Sequence, residues 1–167
     1  MSSNSKFSPL RLTLTALALA ALSLTAQASS SVNVSQGMTL AGAPLAIHGF
    51  DAVAYFTDGK AVLGQAAHTV VQDGAAFRFA SESNKQAFEK EPGRYAPQYG
   101  GFCAYGVALG AKFDGDPRVF AITDGKLYLN LSPDIQKKWN EDRTGNISKA
   151  EETWPKIRHK DPAELGR

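Results

Sequence analysis

A chain of 167 residues with 18 Lys and Arg against 16 Asp and Glu, 43% of it hydrophobic, has the balance of an ordinary globular protein. That composition excludes a charge-dominated disordered chain. The single cysteine excludes an internal disulfide, and no Lys/Arg stripe interleaved with aromatics marks out nucleic acid or an anionic membrane surface as a partner.

Residues 1–28 read as a Sec-type signal peptide. Lys6 and Arg11 precede an uncharged run of 13 residues, Leu12 to Leu24, and the small-x-small triplet Ala26-Gln27-Ala28 follows. A membrane-spanning helix needs about 20 apolar residues, so cleavage after Ala28 is expected rather than anchoring. The product is then periplasmic or secreted and not an integral membrane protein. Lys6 and Arg11 leave with the signal, so the formal charge of +2 belongs to that segment. Residues 29–37, small and polar, read as a flexible leader. A single domain is expected over 38–158, with a charged C-terminal tail at 159–167.

Within the domain three stretches place Asp-Gly between β-prone runs: AVAYFTDGKAVLG, HTVVQDGAAFRFAS and RVFAITDGKLYLNL. Asp-Gly tolerates the two positive φ angles of a tight hairpin turn, so three hairpins are expected, around Asp58-Gly59, Asp73-Gly74 and Asp124-Gly125. Ser81 is placed to cap a helix that Pro92 closes, and Ser132-Pro133 to open another, with Ile135 and Trp139 on one face. A last helix is expected from Asn146 to Trp154, ending at Pro155. No internal repeat is legible. The fold class is α+β: a small antiparallel sheet of hairpins with packed helices, in one domain.

The order of these segments resembles the YHS-domain family of exported bacterial proteins. The resemblance runs over GFDAVAYF, then AAFRFASESNKQAFEKEPGRYAPQYGGFCAYGVALG, then DGKLYLNLSPDIQKKW, roughly from Ile47 to Pro155. It implies a small heavy-metal-binding fold. In the metal-binding branches of that family the strand end and helix resemble Phe-Cys-Ser-x-x-Cys, with another cysteine near the domain start. Here Ala80 and Asn84 stand at those places, and the start reads Gly49-Phe50-Asp51.

Cys103, in QYGGFCAYGVALG, is the one thiolate a soft metal such as copper or zinc would find. His48 and Asp51 are its nearest candidate partners by type, His68 is a further imidazole, and His159 lies in the charged tail. Each has a plainer role: Cys103 as a small buried hydrophobe, the histidines as surface or hydrogen-bonding residues, Asp51 as a turn cap. Tyr95, Tyr99, Phe102 and Tyr105 form a second candidate site, for a flat or apolar ligand such as a tetrapyrrole or quinone, and core packing accounts for them equally. Nucleophile-elbow, phosphate-loop and zinc-protease motifs are absent.

The expectation is a non-enzymatic exported protein that handles a transition metal, copper foremost, through Cys103. The alternative is a metal-free small-ligand or protein-interaction module using the Tyr95–Tyr105 loop. A redox role for Cys103 would need an external thiol, since Cys-x-x-Cys is missing.

Overall fold

The computed structural model describes residues 31–165. The expected signal at 1–28 and the first two residues of the expected leader lie outside them. In chain order come a 3-10 turn at Ile47–Gly49, α1 (Ala54–Thr57), β1 (Gln65–Gln72), β2 (Ala75–Phe79), α2 (Glu82–Lys90) and α3 (Pro92–Tyr95). A second 3-10 turn at Gln98–Gly101 leads to α4 (Ala104–Ala108), β3 (Asp116–Thr123), β4 (Lys126–Asn130), α5 (Pro133–Glu141) and α6 (Arg143–Ile157).

Two of the three expected hairpins form. Asp73 and Gly74 sit at φ 51 and 77, and Asp124 and Gly125 at φ 51 and 71, the double positive φ of a two-residue turn. The turns pair β1 with β2 and β3 with β4 as separate two-stranded antiparallel sheets within the α+β fold. Each hairpin hands over to a helix through a serine cap: Ser81 Oγ accepts from Asn84 N at 3.1 Å and Ser132 Oγ from Ile135 N at 3.3 Å.

The third expected hairpin is absent. Asp51 Oδ1 accepts from Val53 N at 2.8 Å and Ala54 N at 3.2 Å, which starts the helical turn α1, and Asp58-Gly59 ends it. One antiparallel bridge, Phe50 with Leu63, is what remains of the pairing. Pro92 opens α3 as well as following α2, because its fixed φ suits a first helical position. The last helix is longer than expected. Asp142 caps it through Gly145 N at 3.0 Å, and it runs past Pro155 to Ile157. Lys112 Nζ donates to the carbonyls of Arg158 and Lys160 at 3.0 and 2.6 Å and so closes that end. The described part of the expected leader is tied to the domain: Asn33 N donates to Gly100 O at 2.9 Å, and Val34 bridges Ala46.

The chain repeats one backbone design, contrary to the reading of the sequence. Ile47, His48 and Gly49 have φ 49, 50 and 81; Tyr99, Gly100 and Gly101 have φ 55, 63 and 86. After each left-handed triplet the same links follow. Phe50 bridges Leu63 and Phe102 bridges Asp114, while Asp51 N donates to Val62 O at 2.8 Å and Cys103 N to Phe113 O at 2.9 Å. Both hairpins carry a register shift at the same place, between Gln65 and Thr69 and between Asp116 and Phe120. Both helices end alike, at Glu91 (φ −140, ψ 62) and Asp142 (φ −143, ψ 65). Asp51 in the first unit therefore corresponds to Cys103 in the second, and Ala80 to Leu131. Phe77, Phe79 and Phe88 centre one part of the core; Tyr128, Trp139 and Val107 centre the other.

Candidate functional site

Cys103 precedes α4 and is 1% exposed. Its Sγ accepts from Gly106 N at 3.5 Å and donates to Asn130 Oδ1 at 3.8 Å. Burial pushes the thiol pKa up, while backbone hydrogen bonds from Gly106, Leu131 and Tyr105 pull the other way. The thiol is therefore a protonated donor to Asn130 Oδ1, which also accepts from Tyr105 N at 3.4 Å, while the sulfur accepts from Gly106 N.

The other three expected metal ligands have separate engagements. His48 Nε2 is 2.9 Å from Asp114 Oδ1 and its Nδ1 is 3.5 Å from Ser35 Oγ. His68 Nδ1 is 3.2 Å from Glu82 Oε2, and hydrogen bonds from Gln86 and His68 lower the pKa of that exposed carboxyl. Asp51 is fully buried: Oδ1 serves Val53 N and Ala54 N, while Oδ2 accepts from Ala80 N at 2.8 Å and Asn84 Nδ2 at 2.7 Å. Asn84 and Ala80, where family resemblance would place cysteines, are thus bound to the Asp51 carboxylate. Among the described residues no three His, Cys, Asp or Glu side chains gather to hold a metal ion. Cys103, His48, His68 and Asp51 each have separate partners and do not converge on one point, so this donor set as arranged does not fit a metal.

Of the expected ligand-binding aromatics, Tyr95, Tyr99 and Phe102 are core residues, and Tyr105 is half-buried. Phe56 packs edge-on against Tyr95 at 5.5 Å, and Tyr99 lies 5.9 Å from both Tyr128 and Trp154. Tyr99 also borders a cleft of about 430 Å³, together with Phe77, Pro92, Pro97, Gln98 and Trp154. The Tyr99 hydroxyl is buried with no hydrogen-bond partner among the described residues, and burial raises its pKa, so it stays a neutral donor. The Asp73 turn and Arg158 close two sides of this cleft. Sequence reasoning missed Trp154 and Arg158 because α6 reaches the cleft only through the tertiary fold; the Trp-Pro pair read simply as a helix end.

A second cleft of about 480 Å³ lies between the units and is lined by His48, Phe50, Leu63, Asp114, Arg118 and Leu131. The Arg118 guanidinium stacks over Phe50 at 4.9 Å.

Residues 53–99 match the YHS domain family. The match spans the first unit from α1 to the second left-handed triplet and stops short of Cys103. No curated protein and no solved structure matches the chain.

Proposed function

On the premise that this chain carries a YHS domain, we propose that it is a metal-free binding module whose ligand seats in the cleft beside the Pro92–Gly100 loop. The YHS family is associated with metal handling, copper in particular. The cleft carries the proposal. Its volume of about 430 Å³ lies within the usual range of small-molecule sites, roughly 300–1,000 Å³. Its walls join rigid apolar surface from Phe77, Pro97 and Trp154 to the polar residues Asp73 and Gln98. Such a site favours a flat, largely apolar molecule, a quinone being a simple example.

The metal reading draws on the family and on Cys103, His48, Asp51 and His68. Each of those groups has another partner, which favours the cleft.

Thermal-shift titration of the reduced full chain separates the two readings. A naphthoquinone is expected to raise the melting temperature, and Gly93→Phe to abolish the rise without lowering stability. Gly93 lines the cleft and is exposed, and a Cβ built on it meets nothing within 4 Å, so a bulky side chain there has room at the cleft without entering the core. Stabilisation by one equivalent of Cu(I) or Zn(II), lost in Cys103→Ser, would reverse the assignment.

A further inference from the structure

The second cleft, about 480 Å³ between the two units, is a product of the duplication. Leu63 and Asp114 hold corresponding places in the repeat, each bridging the phenylalanine that follows a left-handed triplet, and both line this cleft. Leu131 lines it too. Leu63 is 61% exposed and Leu131 43%, so two large apolar side chains meet solvent here.

Charges of both signs line the same cleft. Asp116 and Arg118 enter it from the start of β3, where the pairing with β4 shifts register, and such irregularities re-aim the side chains beside them. The buried Tyr55 hydroxyl donates to Pro117 O at 2.8 Å and holds this stretch in place. With the Arg118 guanidinium stacked over Phe50, its N–H groups have no hydrogen-bond acceptor and no carboxylate in ion-pair range among the described residues. Asp116 Oδ1 accepts from the backbone N of Arg118 at 2.8 Å, and Asp114 Oδ1 accepts from Asn33 Nδ2 at 2.6 Å and lies 2.9 Å from His48 Nε2. The second oxygen of each carboxylate has no hydrogen-bond partner among the described residues. A guanidinium and a carboxylate two residues apart thus share one cleft without pairing with each other, an arrangement that a ligand carrying both charges completes.

We propose that this cleft binds a free α-amino acid with an apolar side chain. The ligand carboxylate takes parallel N–H donors of Arg118, whose planar fork matches it. Its ammonium meets the Asp116 carboxylate, and its side chain covers Leu63 and Leu131. The volume lies within the range of small-molecule sites, roughly 300–1,000 Å³. A simple acid would set an anion against Asp114 and Asp116, and a simple amine would set a cation against Arg118. The zwitterion is the ligand class that meets both signs.

Equilibrium dialysis of the full chain against L-phenylalanine, 3-phenylpropionate and phenethylamine tests this, because the three probes share a ring and differ in charge. L-Phenylalanine is expected to bind saturably, and each of the other two at least about tenfold more weakly. Arg118→Gln is expected to weaken L-phenylalanine at least about tenfold while phenethylamine binds no more weakly than before. Asp116→Asn, which keeps an acceptor for the Arg118 backbone N–H, is expected to weaken L-phenylalanine while 3-phenylpropionate binds no more weakly. Gly93→Phe, in the other cleft, is expected to leave L-phenylalanine binding intact. The proposal is overturned if L-phenylalanine shows no saturable uptake, if either single-charge probe binds as tightly, if both cleft variants bind L-phenylalanine as wild type does, or if Gly93→Phe abolishes that binding.

Discussion

Removing the Asp51 carboxylate is the sharpest test of how the first unit is held together. Its two oxygens accept four hydrogen bonds, from Val53 N, Ala54 N, Ala80 N and Asn84 Nδ2, in a place without solvent. They join the start of α1, the end of β2 and the first turn of α2. A buried donor left without its acceptor costs about 1–3 kcal/mol, and water entering the space left by truncation offsets part of that. Asp51→Ala is therefore expected to lose roughly 4–6 kcal/mol, a large share of the 5–15 kcal/mol typical of a domain. Asp51→Asn keeps one acceptor oxygen but turns an NH₂ toward the donors Ala80 N and Asn84 Nδ2, and is expected to lose about 2–4 kcal/mol. Asn84→Ala removes one bond of the four and is expected to lose about 1 kcal/mol. Urea unfolding followed by tryptophan emission gives all three values on one scale. The reasoning fails if Asp51→Asn lies within 0.5 kcal/mol of wild type, or if Asn84→Ala costs as much as Asp51→Ala.

Further outcomes follow from the same geometry. Burial raises the Cys103 pKa in the folded state, so the stability this thiol contributes is full below the free-thiol value of about 8.5 and is lost as pH rises through the folded value; urea midpoints should fall above about pH 8.5, and less so in Cys103→Ser. Ser81→Ala and Ser132→Ala each remove a helix cap and should cost about 1 kcal/mol in chemical denaturation. Lys112→Met loses the ammonium over the Phe102 ring and two carbonyl caps at the end of α6; hydrogen exchange of α6 should quicken there before it does in β4.

Much of the fold was legible in the sequence because local rules agreed with tertiary demands. At Asp73-Gly74 and Asp124-Gly125 the turn chemistry and the alternation of β2 point to the same register, and at Ser81 and Ser132 the cap and the apolar face agree. Asp58-Gly59 misled because the same dipeptide ends a helical turn once an upstream carboxylate has started one, and that carboxylate's other donors, Ala80 and Asn84, are remote in sequence. The duplication was hidden because it is conserved as backbone: Ile47-His48-Gly49 and Tyr99-Gly100-Gly101 share their φ angles and little else. At the candidate site, Tyr99 was named from its aromatic surroundings, whereas Trp154 and Arg158 came to the cleft through the packing of α6. Cys103 stood out as the only thiol, but nothing local told that Asn130, remote in sequence, would pack against it.

The cleft is tested most directly by the emission of Trp154, which borders it, while Trp139 is fully buried in the core. Titration of the folded protein with a naphthoquinone is expected to quench that emission saturably, with the same midpoint in the presence of a metal chelator. Quenching that rises linearly without saturation and is equal in Gly93→Phe would contradict a ligand site in this cleft.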